Sequence, residues 1–239
     1  MKFDIEYYSD IGKRNENQDS FLFKQTDEDT LISCIADGVG GKLGGSKASK
    51  FSVNHFIDTF PNNNLDNISL SNKLLQIHYE IINEAKLGES YGMATTFSGI
   101  IIKNSKLIGI HTGDTRVCIL RGNGIKQLTD DHTEVARFVR EGKLSFHESL
   151  SYSRRNIIES ALGIIDHEPI LQEFNFDLLM GDRIIMTTDG VHENISKRDF
   201  RDISLKSKTS KDFLDILTVY LKRKQPNDNN TILVITISN

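Results

Sequence analysis

The chain has 239 residues, 38% hydrophobic and 26% charged, with a formal net charge of -4. That length suits one large domain or two small ones, and a single domain over 1–239 is expected. The mild acidity disfavours nucleic acid and anionic membrane surfaces as partners.

The N-terminus MKFDIEYYSD lacks an apolar core of signal-peptide length. No run of about 18 apolar residues occurs, so no membrane span and a cytoplasmic location are expected. Residues 3–8, 20–24 and 31–36 are brief β-favouring runs between polar turns, and are expected as strands. From Ser46 to Phe60, the residues Ala48, Phe51, Phe56, Ile57 and Phe60 keep mostly to one helical face until PNNNLDN breaks the helix. A second helix is expected over Ser71–Leu87, where Leu74, Leu75, Ile77, His78, Ile81, Ile82 and Ala85 trace a 3.6-residue stripe. A meander follows: Thr95–Lys103, Lys106–Thr112 and Arg116–Arg121 are apolar runs joined by KNSK and GDT, with Asn123-Gly124 as the next turn signal. Residues 130–165 are polar, periodic only over Val135–Val139, and suggest a surface excursion. Strands return at 168–176, 183–188 and 231–237. A last helix near Ser210–Lys224 sets Phe213, Ile216, Leu217, Tyr220 and Leu221 on one side. Tight turns between strands, with helices inserted in blocks, indicate an α+β fold of antiparallel sheets faced by helices. Cys34 and Cys118 lie inside apolar runs without CxxC spacing, and are expected as small packed residues in a reducing compartment.

Four aspartates occupy the ends of strands: Asp37 after LISCIA, Asp114 after LIGIHTG, Asp189 after IIMTT, and Asp228 ahead of TILVITI. Asp-Gly is an ordinary turn pair, so any one of them is ambiguous. Four converging carboxylates withdrawn from water would repel one another, and divalent cations resolve both costs. Oxygen-only ligation points to Mg²⁺ or Mn²⁺ rather than zinc. Gly38 could offer its carbonyl to an ion, while Gly40 and Gly41 permit conformations closed to other residues.

With SDIGKRNENQDSF (Ser9–Phe21), DGVGG (Asp37–Gly41), GMATT (Gly92–Thr96), GDTR (Gly113–Arg116), LTDDHT (Leu128–Thr133), SALG (Ser160–Gly163), GDRIIMTTDGV (Gly181–Val191) and DNNTILVIT (Asp228–Thr236) in this order, the chain resembles the bacterial PP2C-type (PPM) metal-dependent protein serine/threonine phosphatases. The resemblance spans the chain and implies a sandwich of two antiparallel β-sheets flanked by α-helices on both sides, with a metal centre at one edge. It implies that Asp37 bridges two Mn²⁺ or Mg²⁺ ions, that Gly38 lends a carbonyl, and that Asp189 and Asp228 complete one ion's shell. Asp114, with Asp189, matches the holder of a third, weaker ion. Asp19 matches a carboxylate supporting the other ion from behind its direct ligands. Arg14 matches the arginine that binds the substrate phosphate; its alternative is a solvated surface arginine. Residues 134–160 correspond to a variable flap beside the site. The implied partners are a phosphorylated protein and an opposing serine/threonine kinase, and a monomer is expected.

Three positions depart from the pattern. Gln18 stands where many relatives have glutamate, so it is expected to support the second ion through its carbonyl oxygen or a water. Val39 replaces a proton-donating histidine of animal members, and Ala94 replaces a usual glycine. His132 and His192 are expected as structural or solvated groups. Two alternatives are a catalytically weakened phosphoprotein-binding module, motivated by Gln18 and Val39, and a nucleotide site on the glycine-rich loop 38–45. The latter lacks the Gly-Lys-Ser/Thr and dinucleotide spacings.

Overall fold

The computed structural model describes residues 1–39, 44–60, 69–86 and 92–238. The expected roles of Gly40 and Gly41, the PNNNLDN break and Leu87 lie outside the described residues. The elements in order are β1 (Lys2–Asp10), β2 (Asp19–Asp27), β3 (Thr30–Val39), α1 (Gly44–Asp58), α2 (Leu70–Lys86), β4 (Ala94–Thr95), β5 (Phe97–Lys103) and β6 (Lys106–Thr112). They continue with β7 (Arg116–Arg121), β8 (Gly124–Gln127), α3 (Glu134–Arg140), α4 (Phe146–Ser149), β9 (Gln172–Asp177), β10 (Arg183–Thr187), α5 (Asp189–His192), α6 (Lys197–Lys206), α7 (Ser210–Lys224) and β11 (Asn230–Ser238).

Two antiparallel sheets stack. One runs β1-β11-β10-β7-β8; the other runs β2-β3-β5-β6-β9, with β4 pairing the far end of β3. The two-residue pleat explains why LISCIA and TILVITI are apolar throughout. In β3, Leu31 and Ile35 enter the layer between the sheets, while Ile32, Cys34 and Ala36 pack under α1 and α2. In β11, Leu233, Ile235 and Ile237 face inward, and Ile232 and Val234 meet α6 and α7. Both faces are therefore buried, at about 1.5–3 kcal/mol for each large side chain. Gly99 makes room on the helical side, because a Cβ there would lie 2.6 Å from the Phe56 ring.

The β5–β6 hairpin turns on Asn104 and Ser105, both at positive φ as a two-residue hairpin of this hand requires. The β7–β8 turn falls at Gly122-Asn123, one residue before the expected Asn123-Gly124, since Gly124 already pairs with Arg121. β9 begins later than the expected 168. Outside the 130–165 excursion, three elements had no expectation: β8, α5 and α6. The first two are four residues each, and α6 buries only Phe200 and Ile203, so none carries a long periodic stripe. The 130–165 segment is superficial where α3 and α4 form, for neither helix has a buried residue. Its two ends are not superficial: His132, Thr133, Ser160, Ala161 and Leu162 are buried, tied by the bridges Thr133–Ile158 and Thr95–Leu162. Among the described residues no helix is long and apolar enough to cross a membrane.

The nucleotide reading of loop 38–45 does not hold. β3 pairs antiparallel with β2 and β5, whereas strand–glycine loop–helix nucleotide units are built on parallel sheets.

Candidate active site

Asp37 lies near the end of β3, directly opposite Asp19 of β2. Its backbone is fixed by the GMATT segment. Asp37 N–H donates to Thr96 Oγ1 (3.1 Å), and its carbonyl accepts from Thr96 N–H (2.9 Å) and Thr95 Oγ1 (2.8 Å). Asp189 opens α5 directly after β10, Asp114 sits in the turn between β6 and β7, and Asp228 precedes β11. All four strand-end aspartates and Asp19 share one electrostatic field. Burial pushes the Asp37 carboxyl well above the usual range, and Asp19, Asp189, Asp114 and Asp228 push it further. Asp19 is raised to about 7, chiefly by burial, against the hydrogen bonds from Thr231 and Thr188. Burial, then Asp228 and Glu193, raises Asp189 to about 6. Asp114 is raised by burial, then by Asp189 and Asp131.

Three oxygens in this field, Asp19 Oδ1, Asp114 Oδ1 and Asp189 Oδ1, are buried without a hydrogen-bond partner among the described residues. Buried carboxylate oxygens are seldom left so, because the desolvation penalty is then unrelieved. A donor set of bare carboxylate oxygens fits hard divalent cations. Among the described residues no three His, Cys, Asp or Glu side chains close on a single point, and the Asp228 carboxylate is engaged elsewhere. Arg14 Nε donates to Asp228 Oδ1 (2.8 Å) and Nη2 to Oδ2 (2.5 Å). Arg14 is thus neither a lone solvated cation nor free for a phosphate here. Its side chain is 56% exposed, at the rim.

Close backbone approaches set the rim. A Cβ on Gly12, at φ +59°, would lie 2.2 Å from the Asp228 carbonyl oxygen, and one on Gly190 would lie 2.0 Å from that of Asn229. A Cβ on Gly38 would lie 2.4 Å from the Gly45 backbone, so contact with the start of α1 demands glycine there. Gln18 connects the same parts: its N–H donates to Asn229 Oδ1 (2.8 Å), and its carbonyl accepts from Ser49 Oγ (2.6 Å) and Gly38 N–H (3.2 Å). Its side chain borders Gly45, where a Cβ would meet Oε1 at 2.8 Å.

Two residues with site roles went unrecognised in the sequence. Asn229 clamps the Arg14 loop, donating from Nδ2 to the carbonyls of Ile11 (2.9 Å) and Glu16 (2.9 Å). Thr188 Oγ1 donates to Asp19 Oδ2 (2.9 Å) and accepts from Thr231 N–H (3.0 Å). An asparagine at a turn and a threonine at a strand end are too common to stand out. The only signal was their position beside Asp228 and Asp189. His132 Nδ1 accepts from Gly113 N–H (3.1 Å), and His192 Nδ1 meets Thr187 Oγ1 (3.0 Å), both structural contacts. Cys34 and Cys118 are buried free thiols.

A family model described as "Protein phosphatase 2C" matches residues 8–234. The chain is similar to protein phosphatase PhpP of Streptococcus pneumoniae, 28% identical over 98% of each chain. The solved serine/threonine phosphatase of S. agalactiae is similar at a TM-score of 0.89 and 25% identity, over 99% of this chain and 100% of that one. The catalytic domain of the serine/threonine protein phosphatase PstP, solved with two manganese ions, is similar at a TM-score of 0.81 and 25% identity over 99% of each chain. An antiparallel sandwich with five aspartates sharing one field at its edge, matched from residue 8 to residue 234, places this chain in the protein phosphatase 2C family.

Proposed function

We propose that this protein is a metal-dependent phosphatase acting on phosphoserine and phosphothreonine in proteins. The observation that supports this best is the set of bare buried oxygens on Asp19, Asp114 and Asp189, in a field shared with Asp37 and Asp228. Asp37, the Gly38 carbonyl, Asp189 and Asp228 would hold one Mn²⁺ or Mg²⁺. Asp37 would share the second ion, supported by Asp19 and Gln18, and Asp114 with Asp189 would hold a third, weaker one. Ions bound there lower the pKa of water toward neutrality and offset charge on the phosphate.

The chain's own groups do the rest. Arg14 presents a planar, permanently charged fork at the rim, and exchanging Asp228 for phosphate oxygens preserves two charge-assisted bonds. Thr188 holds one oxygen of Asp19 and leaves the other bare. Val39 has no proton to give, and burial lowers the pKa of both His132 and His192, which favours their neutral, weakly acidic rings. Protonation of the departing serine or threonine oxygen therefore falls to solvent. The amide of Gln18 would hold a second ion more weakly than a carboxylate, and the retention of all four strand-end aspartates favours an active enzyme over a binding module. Residues 134–160 flank the site and contribute to substrate choice. A phosphoprotein substrate, an opposing serine/threonine kinase, a cytoplasmic location and a monomeric catalytic unit over 1–239 complete the assignment.

The test is phosphate release from a phosphothreonine peptide and p-nitrophenyl phosphate with added Mn²⁺. Turnover is expected, lost with EDTA and lost in Asp37→Asn. An inert Mn²⁺-saturated protein, or turnover indifferent to EDTA, refutes the assignment.

A further inference from the structure

Asp114 is held in an unfavourable place. Asp114 is 9% exposed, its Oδ1 is buried with no hydrogen-bond partner among the described residues, and Asp189 repels it. A side chain under that load relaxes away unless the backbone carrying it is fixed. The turn bearing it begins at Gly113, at φ +99°, where a Cβ would lie 2.5 Å from the Thr96 side chain. Two buried histidines take both polar backbone groups of this glycine. His132 accepts the Gly113 N–H through Nδ1 (3.1 Å), and the His132 backbone N–H donates to the Gly113 carbonyl (2.7 Å). His111 Nε2 lies 3.1 Å from the carbonyls of both Gly113 and Asp130.

The partners settle the tautomers. A bare Nδ1 on His132 puts its proton on Nε2, and two carbonyls facing His111 Nε2 put a proton there, leaving His111 Nδ1 to accept from Ser98 Oγ (2.9 Å). The rings lie 4.9 Å apart, and burial lowers both pKa values, so both are neutral. The far end of the turn is gripped by the same loop: Arg116 Nε donates to Asp131 Oδ1 (2.9 Å), to which Gln127 Nε2 also donates (3.0 Å).

We propose that His132, backed by His111, is a positioning residue that fixes the Gly113–Asp114 turn so that Asp114 can receive a divalent cation. This rests on the assignment of Asp114 to a metal site. His132 also stands where the 134–160 excursion leaves and returns, its carbonyl accepting from Glu159 N–H (2.8 Å), so the brace ties that excursion to the Asp114 turn.

The experiment titrates Mn²⁺ into intact protein, following free Mn²⁺ by its electron paramagnetic resonance signal, in wild type, His132→Ala, His132→Asn, Asp114→Asn and His132→Ala/Asp114→Asn. Asparagine carries an acceptor where Nδ1 lies; alanine does not. Losing a supporting partner of a metal ligand typically costs about 10–100-fold in affinity, so His132→Ala is expected to weaken the weakest binding step by about that factor. His132→Asn should restore it to within a few fold, and the double variant should lose no more than Asp114→Asn alone. The Gly113 amide should exchange faster in the alanine variant and recover in the asparagine variant. If the alanine variant does not fold, His132→Gln replaces it, since its carboxamide sits one bond too far to imitate Nδ1. Wild-type Mn²⁺ binding that is unchanged in a folded alanine or glutamine variant, a failed asparagine rescue, or additive losses in the double variant would each overturn the proposal alone. A wild type that binds no Mn²⁺ overturns the metal-site assignment with it.

Discussion

Replacing Asp19 by asparagine should stabilise the metal-free protein at neutral pH while weakening its response to metal. The Asp19 carboxyl is raised from 3.8 to about 7 in the fold, so between those values the folded chain retains a proton that the unfolded chain has released. Stability therefore falls as pH rises through this window, and is lowest above it. At ~1.4 kcal/mol per pH unit, that interval amounts to about 4 kcal/mol above pH 7. A buried amide in the same place, still accepting from Thr188, carries a desolvation cost of about 1–2 kcal/mol, leaving a net gain of about 2 kcal/mol. For a chain of this length that is about 4–8 °C in Tm. Thermal melts in EDTA from pH 4 to pH 8 check it. The variant should melt slightly below wild type near pH 4, where little of the proton-linked gain has developed and the amide's cost remains, and should overtake it and exceed it increasingly up to pH 8. Adding Mn²⁺ at pH 8 should raise wild type more than the variant, because the cation binds ionised carboxylates. A variant that melts at or below wild type at every pH without metal would refute the carboxylate-field account.

Arg14→Ala should raise KM for phosphate esters about 10–100-fold with a smaller change in kcat, since a lost charge-assisted pair is worth about 1.5–3 kcal/mol. Steady-state kinetics with an unchanged KM would reject its assignment. Gly190→Ala forces a Cβ against the Asn229 carbonyl at 2.0 Å, so the urea midpoint should fall by the equivalent of about 1–3 kcal/mol or more. A neutral substitution would mean that Asp189 and Asp228 do not approach through this contact. Iodoacetamide should leave phosphatase activity intact, because burial hides Cys34 and Cys118 and pushes both thiols up, Cys118 to about 11. Inhibition by the reagent that Mn²⁺ does not relieve would contradict this.

Much of the frame was legible from letters alone. α7 matches its expected span of 210–224, α1 and α2 agree with theirs within two residues, and the β5–β6–β7 meander sits where its turn chemistry put it. These features repeat over short distances, so periodicity exposes them. β8, α5 and α6 are short or weakly apolar, and tertiary packing rather than an intrinsic stripe makes them. Gly38 carries a further demand that the sequence did not reveal: a Cβ there would lie 2.4 Å from the Gly45 backbone.

Left to itself, the sequence determined the α+β frame and the set of aspartates at strand ends, because alternation, helical stripes and turn residues act between near neighbours. Only the tertiary structure decided which carboxylate oxygens remain bare, that Arg14 holds Asp228, and that Asn229, Thr188 and His132 brace the loops. Those outcomes depend on distances of a few ångströms between groups separated by most of the chain, and no local pattern encodes them.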